Sequence, residues 1–207
     1  MLGLNKEELA ILRKLSTPIK IQDFLDSFPM NWEKDKETYM SPRRTLREKK
    51  MHCLEGALVA GVALWLKGEE PLLLDLKAEG DDDHVVTLYK KNGHWGAISK
   101  TNHSVLRFRD PVYKNVRELV MSYFHEYFVN ETGKKTLRWH SRPFNLKRLG
   151  ADWITSEEDL DYIAQMIDEI KHFPCFPKNN LKSIRRADEM EKKAGQIIEW
   201  EKNDLRT

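Results

Sequence analysis

The chain has 207 residues and a mass of 24.4 kDa, 40% of it hydrophobic and 33% charged. That is enough apolar material for a core, which sets disorder aside, and at about 150 residues per domain it makes one domain, 1–207, with appendages. The 35 basic and 33 acidic residues leave a net charge of +2, which disfavours a globally basic nucleic-acid binder and a polyacidic tail.

The longest nearly apolar run, Gly56 to Leu66, is fenced by Glu55 and Lys67 and is too short to span a bilayer. The start, Met-Leu-Gly-Leu-Asn-Lys-Glu-Glu, has no basic region ahead of an apolar one. The expectation is a cytoplasmic protein with no membrane partner. Two cysteines, Cys53 and Cys175, without a C-x-x-C spacing, do not make a disulfide framework.

Residues 1–50 read as an N-terminal helical segment. Asn5 can cap a helix through Leu9 and Leu12, and Thr17-Pro18 starts a second that Pro29 ends. These two helices raise nucleic-acid binding as a possibility, but Asp23 and Asp26 on the second would repel phosphate. Residues 30–50 read as a long polar connection with helical pieces.

Residues 51–140 form the predicted core. Cys53 to Leu66 is apolar on most faces, so the helix should be buried, and its small residues Gly56, Ala57, Ala60, Gly61 and Ala63 admit close neighbours. The period then becomes two. Strands are predicted at 71–76, 84–90, 95–99 and 104–110, with an Asn92-Gly93 hairpin turn and Pro111 as the terminator. An amphipathic helix from Asn115 carries Val116, Leu119, Val120, Tyr123, Phe124 and Tyr127, and one more strand is predicted at 136–140. Residues 141–207 read as a C-terminal helical extension. Thr155 and Glu158 suggest a capping box before a stripe of Leu160, Ile163, Ile167 and Ile170, and a charged helix follows over 180–203. The order of elements makes an α+β fold: a buried Cys-bearing helix packed on a small antiparallel sheet, with additional N- and C-terminal helices.

Cys53 opens the buried helix, where the partial positive charge and free N–H groups favour a thiolate. Five basic residues within 43–50, set against Glu48, push the same way if they lie close. A buried structural cysteine explains the same position. His84 follows Asp81-Asp82-Asp83, whose carboxylates favour an imidazolium; a solvated acidic turn with a surface histidine is the plain alternative. Asp110 could hold the distal imidazole nitrogen, or simply start a turn before Pro111. Glu55 reads as a first-turn dipole partner or as a buried acid. Asp81-Asp82-Asp83 lacks the EF-hand spacing, and no Cys or His pair supports zinc, so no metal and no cofactor are implied. Cys175, between two Phe-Pro units, reads as structural.

Met51-His52-Cys53-Leu-Glu-Gly-Ala-Leu-Val-Ala, then Asp83-His84-Val85-Val86, then Arg109-Asp110-Pro111 resembles the transglutaminase-like superfamily of papain-related cysteine enzymes over roughly residues 40–115. The whole chain also resembles a bacterial group within that superfamily, which assigns no substrate. The resemblance implies Cys53 as nucleophile, His84 as acid and base and Asp110 as its orienter. His103 competes for the base role. Departures are Val86, where an aromatic residue is frequent, and a long spacing to Asp110. The resemblance also places an oxyanion donor upstream of the cysteine, for which Gln22, Trp32 and Tyr39 are candidates beside the Cys53 N–H. It implies hydrolysis or acyl transfer on an amide or ester bond of a peptide, protein or small amide, through a thioester on Cys53. The alternative is an inactive domain of the same fold that binds a protein or peptide.

Overall fold

The computed structural model describes residues 2–32 and 37–201. Helix α1 (Lys6–Lys14) starts at Asn5, whose side chain accepts the Glu8 N–H while the Glu8 carboxylate accepts the Asn5 N–H. Helix α2 (Pro18–Asp26) starts on the Thr17 hydroxyl with Pro18 in its first turn. A short helix α3 (Pro42–Glu48) follows. These three surround α4 (Cys53–Leu66), in which every residue from Leu54 to Leu64 is buried.

The sheet is built from β1 (Leu72–Ala78), β2 (His84–Lys91), β3 (His94–Ile98), β4 (Arg109–Tyr113), β5 (Leu137–Ser141), β6 (Phe144–Asn145) and β7 (His172–Pro174). Its order is β4-β3-β2-β1-β5-β7, with β6 also on β1, and every pairing is antiparallel. Asn92 and Gly93 take positive φ of 50° and 83° between β2 and β3, the two-residue hairpin that their types favour. Alternation along β2 divides the core. Val85 and Tyr89 pack with α4, and the Thr87 hydroxyl donates to the Ala57 carbonyl at 2.7 Å. Val86 and Leu88 face the other way, onto α5 (Val116–Tyr123). The fold is thus α+β, with the cysteine helix on one face of an antiparallel sheet.

Three expectations are corrected. The strand predicted over 104–110 runs instead from Arg109 to Tyr113 and contains Pro111, which an edge strand tolerates because its missing N–H need not pair. Residues 104–108 are drawn out of the sheet: the Leu106 N–H donates to Glu126 and the Leu106 carbonyl accepts the Ser99 hydroxyl. The Thr155–Glu158 capping box does not form. Helix α6 (Asp161–Glu169) starts after Leu160 without a side-chain cap, and a 3-10 turn ends at Thr155. The helix predicted over 180–203 is reduced to α7 (Glu189–Gly195), because the chain beyond it bonds to the 102–104 loop, with Ile198 bridging His103 and the Glu199 N–H donating to the Asn102 carbonyl. Residues 202 and 203 lie outside the described residues. No helix among the described residues is long and apolar enough to cross a membrane.

Candidate active site

Cys53 is the first residue of α4, and His52 is its N-cap. A cleft of about 1060 Å³ opens over them, and Cys53 keeps part of its surface open to it. Burial alone would raise the thiol. Hydrogen bonds from His52 and His84, with the charges of both rings, outweigh it and hold the thiol at about 5. The two imidazoles therefore converge on one sulfur. Cys175 has no such neighbours. It is fully buried, burial pushes its thiol up to about 11, and its backbone N–H donates to Arg138 on the sheet.

His84 is the first residue of β2, where the sheet ends beside the start of α4. Its Nε2 lies 2.8 Å from Ser99 Oγ. The Ser99 hydroxyl donates to the Leu106 carbonyl at 2.6 Å, so it can only accept from the ring. Nε2 thus carries a hydrogen, and Nδ1 is the nitrogen left for the sulfur.

His52 is held differently. Its Nε2 donates to the Thr38 carbonyl at 2.6 Å. When the ring is neutral, Nδ1 accepts the Leu54 N–H at 3.2 Å and caps the helix; when the ring is charged, Nδ1 donates to the sulfur. Burial opposes the charge, but the Cys53 hydrogen bond and the carboxylate of Glu55 carry His52 up to about 10. Glu55 is the acidic residue of the first turn of α4 and is fully buried there. It accepts the N–H groups of Met40 and His52, both at 2.9 Å, and the Asn31 amide at 3.2 and 3.3 Å. Burial raises its pKa against those bonds and the His52 charge.

The structure does not bring Asp110 to this cluster. Asp110 is exposed on β4, one residue past the Ala97–Arg109 pair, and its charge acts on Tyr89. Tyr89 is five residues along β2 from His84, about 16 Å of strand. His103 lines the rim of the cleft with its Nδ1 bonded to the Gly195 carbonyl at 3.0 Å. Gln22 bonds both backbone groups of Ser99, at 2.8 and 2.9 Å, and is committed there. Tyr39 sets its ring edge-on to His52. Trp32 also lines the cleft. Met30 bridges Met51 and the Asn31 N–H donates to the Met51 carbonyl, so this strand of chain runs beside the residues leading into Cys53. Trp32 Nε1 is buried and has no partner among the described residues.

The three arginines of the basic stretch before Cys53 are engaged elsewhere. Arg43 pairs with Glu8, Arg44 with Asp159, and Arg47 with Glu157 and Glu48. The thiol is instead lowered by imidazoles. Sequence reasoning missed His52 and Ser99. A histidine directly before a helix start is a capping position and was the available signal for the first; nothing in the pattern marks Ser99. Among the described residues, Asp75, Asp83 and Asp168 have carboxylate oxygens within 4.8 Å of one another. Lys77 already sits among them, 3.0 Å from Asp168 and 3.7 Å from Asp83, which is an ion-pair network rather than an open coordination site. No protein-family model matches the chain, and no curated protein matches it.

Proposed function

We propose that the protein is a cysteine-dependent hydrolase or acyltransferase of transglutaminase-like type, acting on an amide or ester carbonyl. The observation that carries this reading is the Cys53 sulfur at a helix start, hydrogen-bonded by two imidazoles and held near 5. Neither burial nor packing calls for such an arrangement, and a low thiol pKa is what a nucleophile needs.

In this reading the Cys53 thiolate attacks the carbonyl carbon and an S–C bond forms. The oxygen takes the negative charge and meets the Cys53 N–H at the first helical position and the Trp32 Nε1–H, which has no partner among the described residues. His84 Nδ1 gives its proton to the leaving amine or alkoxide as the C–N or C–O bond breaks. A thioester remains. Nδ1 then takes a proton from the incoming water or amine, which attacks the thioester and expels the thiolate. Ser99 replaces Asp110 as the group that fixes the His84 ring. His52 holds charge rather than moving a proton, because the Cys53 hydrogen bond and the Glu55 carboxylate, against burial, keep it an imidazolium through neutral pH. No metal or organic cofactor enters these steps.

The test is the iodoacetamide rate of Cys53 against pH, with mass spectrometry separating it from Cys175. The expected midpoint is about 5, moving up in His84→Ala and in His52→Ala. Ester and thioester probes, with or without an added amine, then show whether a Cys53 acyl adduct forms and what resolves it. The displacement of Asp110 from His84 favours one second reading, an inactive peptide-binding domain of the same fold. A thiol titrating near its ordinary value with no acyl adduct would establish that reading instead.

A further inference from the structure

The cleft over Cys53 is acidic in a chain whose net charge is +2. Eight carboxylates and one lysine line it. The Asp81-Asp82-Asp83 run leads directly into His84. The Tyr127 hydroxyl, raised first by burial, also feels Cys53 together with Asp81, Asp83 and Asp75, so thiol and carboxylates share one neighbourhood.

Part of this charge is neutralised or held in bonds. Lys77 pairs with Asp168 and Asp83 and Arg109 with Glu126, while burial raises the Asp75 carboxyl, 2.8 Å from His172 Nε2, to about 6. The rest is not. Asp81 accepts from the Thr136 hydroxyl and the Asp82 N–H, both neutral. The carboxylates of Asp82 and Glu131 are exposed and have no partner among the described residues. The single lysine, Lys100, is fully buried with its ammonium on the Phe28 carbonyl, away from the acidic wall. Beside Glu131, Asn130 Oδ1 is a buried oxygen with no donor among the described residues. This side of the cleft therefore presents carboxylates that no cation among the described residues pairs.

Clefts lined by one sign of charge concentrate ligands of the other. We propose that the acidic wall formed by Asp81, Asp82 and Glu131 selects substrates with a cationic group, a lysine or arginine side chain next to the reacting carbonyl. The proposal rests on the reading of Cys53 as a nucleophile and names the substrate class of that site. The catalytic groups act on the carbonyl, and the wall acts on the charge beside it.

The experiment uses three peptidyl vinyl sulfones identical except for one residue: lysine, glutamine or glutamate. The thiolate adds to the vinyl carbon, and a proton from water completes the adduct. At low salt the lysine probe is expected to label Cys53 about tenfold faster than the glutamine probe, with the glutamate probe slowest. At about 0.5 M salt the lysine preference should shrink to about threefold or less. The Asp82→Asn/Glu131→Gln variant should lower the lysine-to-glutamine ratio by about threefold at low salt. Equal rates for the three probes would overturn the proposal, as would a lysine preference indifferent to both salt and the double variant. Iodoacetamide labelling of the parent separates the two levels. A slow thiol there fails the nucleophile reading itself, whereas a fast one without charge discrimination fails only the acidic-wall proposal.

Discussion

Ser99 Oγ stands 2.8 Å from His84 Nε2 and passes its own hydrogen to the Leu106 carbonyl at 2.6 Å. This fixes the His84 tautomer with a neutral hydroxyl where a carboxylate would do the same with charge. A carboxylate lies further back: Asp26 accepts from the Gln22 amide at 2.9 Å, and Gln22 bonds both backbone groups of Ser99. Ser99→Ala removes the acceptor of a buried N–H. One such bond is worth about 1–1.5 kcal/mol, or about tenfold in rate. Cys53 alkylation at pH 6 should fall by about that factor. Asp110→Ala, at an exposed site on β4, should stay within about twofold of the parent.

Glu55 ties three parts of the chain to the start of α4: the Asn31 side chain and the Met40 and His52 backbone. Glu55→Ala leaves these donors buried without an acceptor and leaves the His52 charge without its partner. The expected loss of stability in urea unfolding is about 3–5 kcal/mol. Glu55→Gln keeps the shape but not the charge. His52 should then give up its proton more readily, and the Cys53 thiol should rise by about one unit. The ultraviolet absorbance of the thiolate against pH reads that shift.

The Cys53–His52 pair also sets a pH window of stability. The thiol falls from 9.0 to about 5 on folding, and the imidazole rises from 6.5 to about 10. Between 5 and 6.5 the unfolded thiol holds a proton that the folded one has lost, so stability rises with pH. Between 6.5 and 9.0 the unfolded cysteine binds one proton more and the unfolded histidine one fewer, and the slopes cancel. From 9.0 to 10 the folded imidazole keeps a proton that the unfolded one lacks, so stability falls. The pair's contribution is thus full between about 6.5 and 9, lost as pH falls through 5 and lost as it rises through 10. Urea unfolding from pH 4.5 to 10 should show that plateau, and Cys53→Ser should flatten it.

The sheet and the buried helix were legible in the sequence because period-two alternation from His84 to Lys90 and the apolar run from Leu54 to Leu64 are local patterns that burial preserves. The Asn5 and Thr17 starts were legible because a cap and its helix lie within a few residues. The path of residues 99–108 was not. It is set by Glu126, twenty residues from the Leu106 N–H that it accepts, and by the Ser99 hydroxyl, neither of which the local pattern marks. Asp110 was assigned to the cluster by the resemblance and by what a carboxylate can do for an imidazole, and neither carries information on how far along the strand a side chain sits. The same gap hid Ser99, which lies across the sheet from His84.

Gly56 sets how closely α4 approaches the chain that carries Ser99. A Cβ built there would lie 2.6 Å from Lys100 Cβ, 3.2 Å from Lys100 Cγ and 3.3 Å from Met51 Sδ. The nearest of these atoms is fixed to the backbone and cannot swing away as the end of a long side chain can. Gly56→Ala must therefore push α4 and the 99–101 segment apart, at a cost of about 1–3 kcal/mol. That movement separates the two elements that bring Cys53 and His84 together, so alkylation at pH 6 should slow by about tenfold or more in protein that is still folded. Combining Gly56→Ala with Lys100→Gly removes the struck atom. A double-mutant cycle in urea should then return a coupling of about 1 kcal/mol or more, whereas additive losses would place the strain elsewhere in the helix.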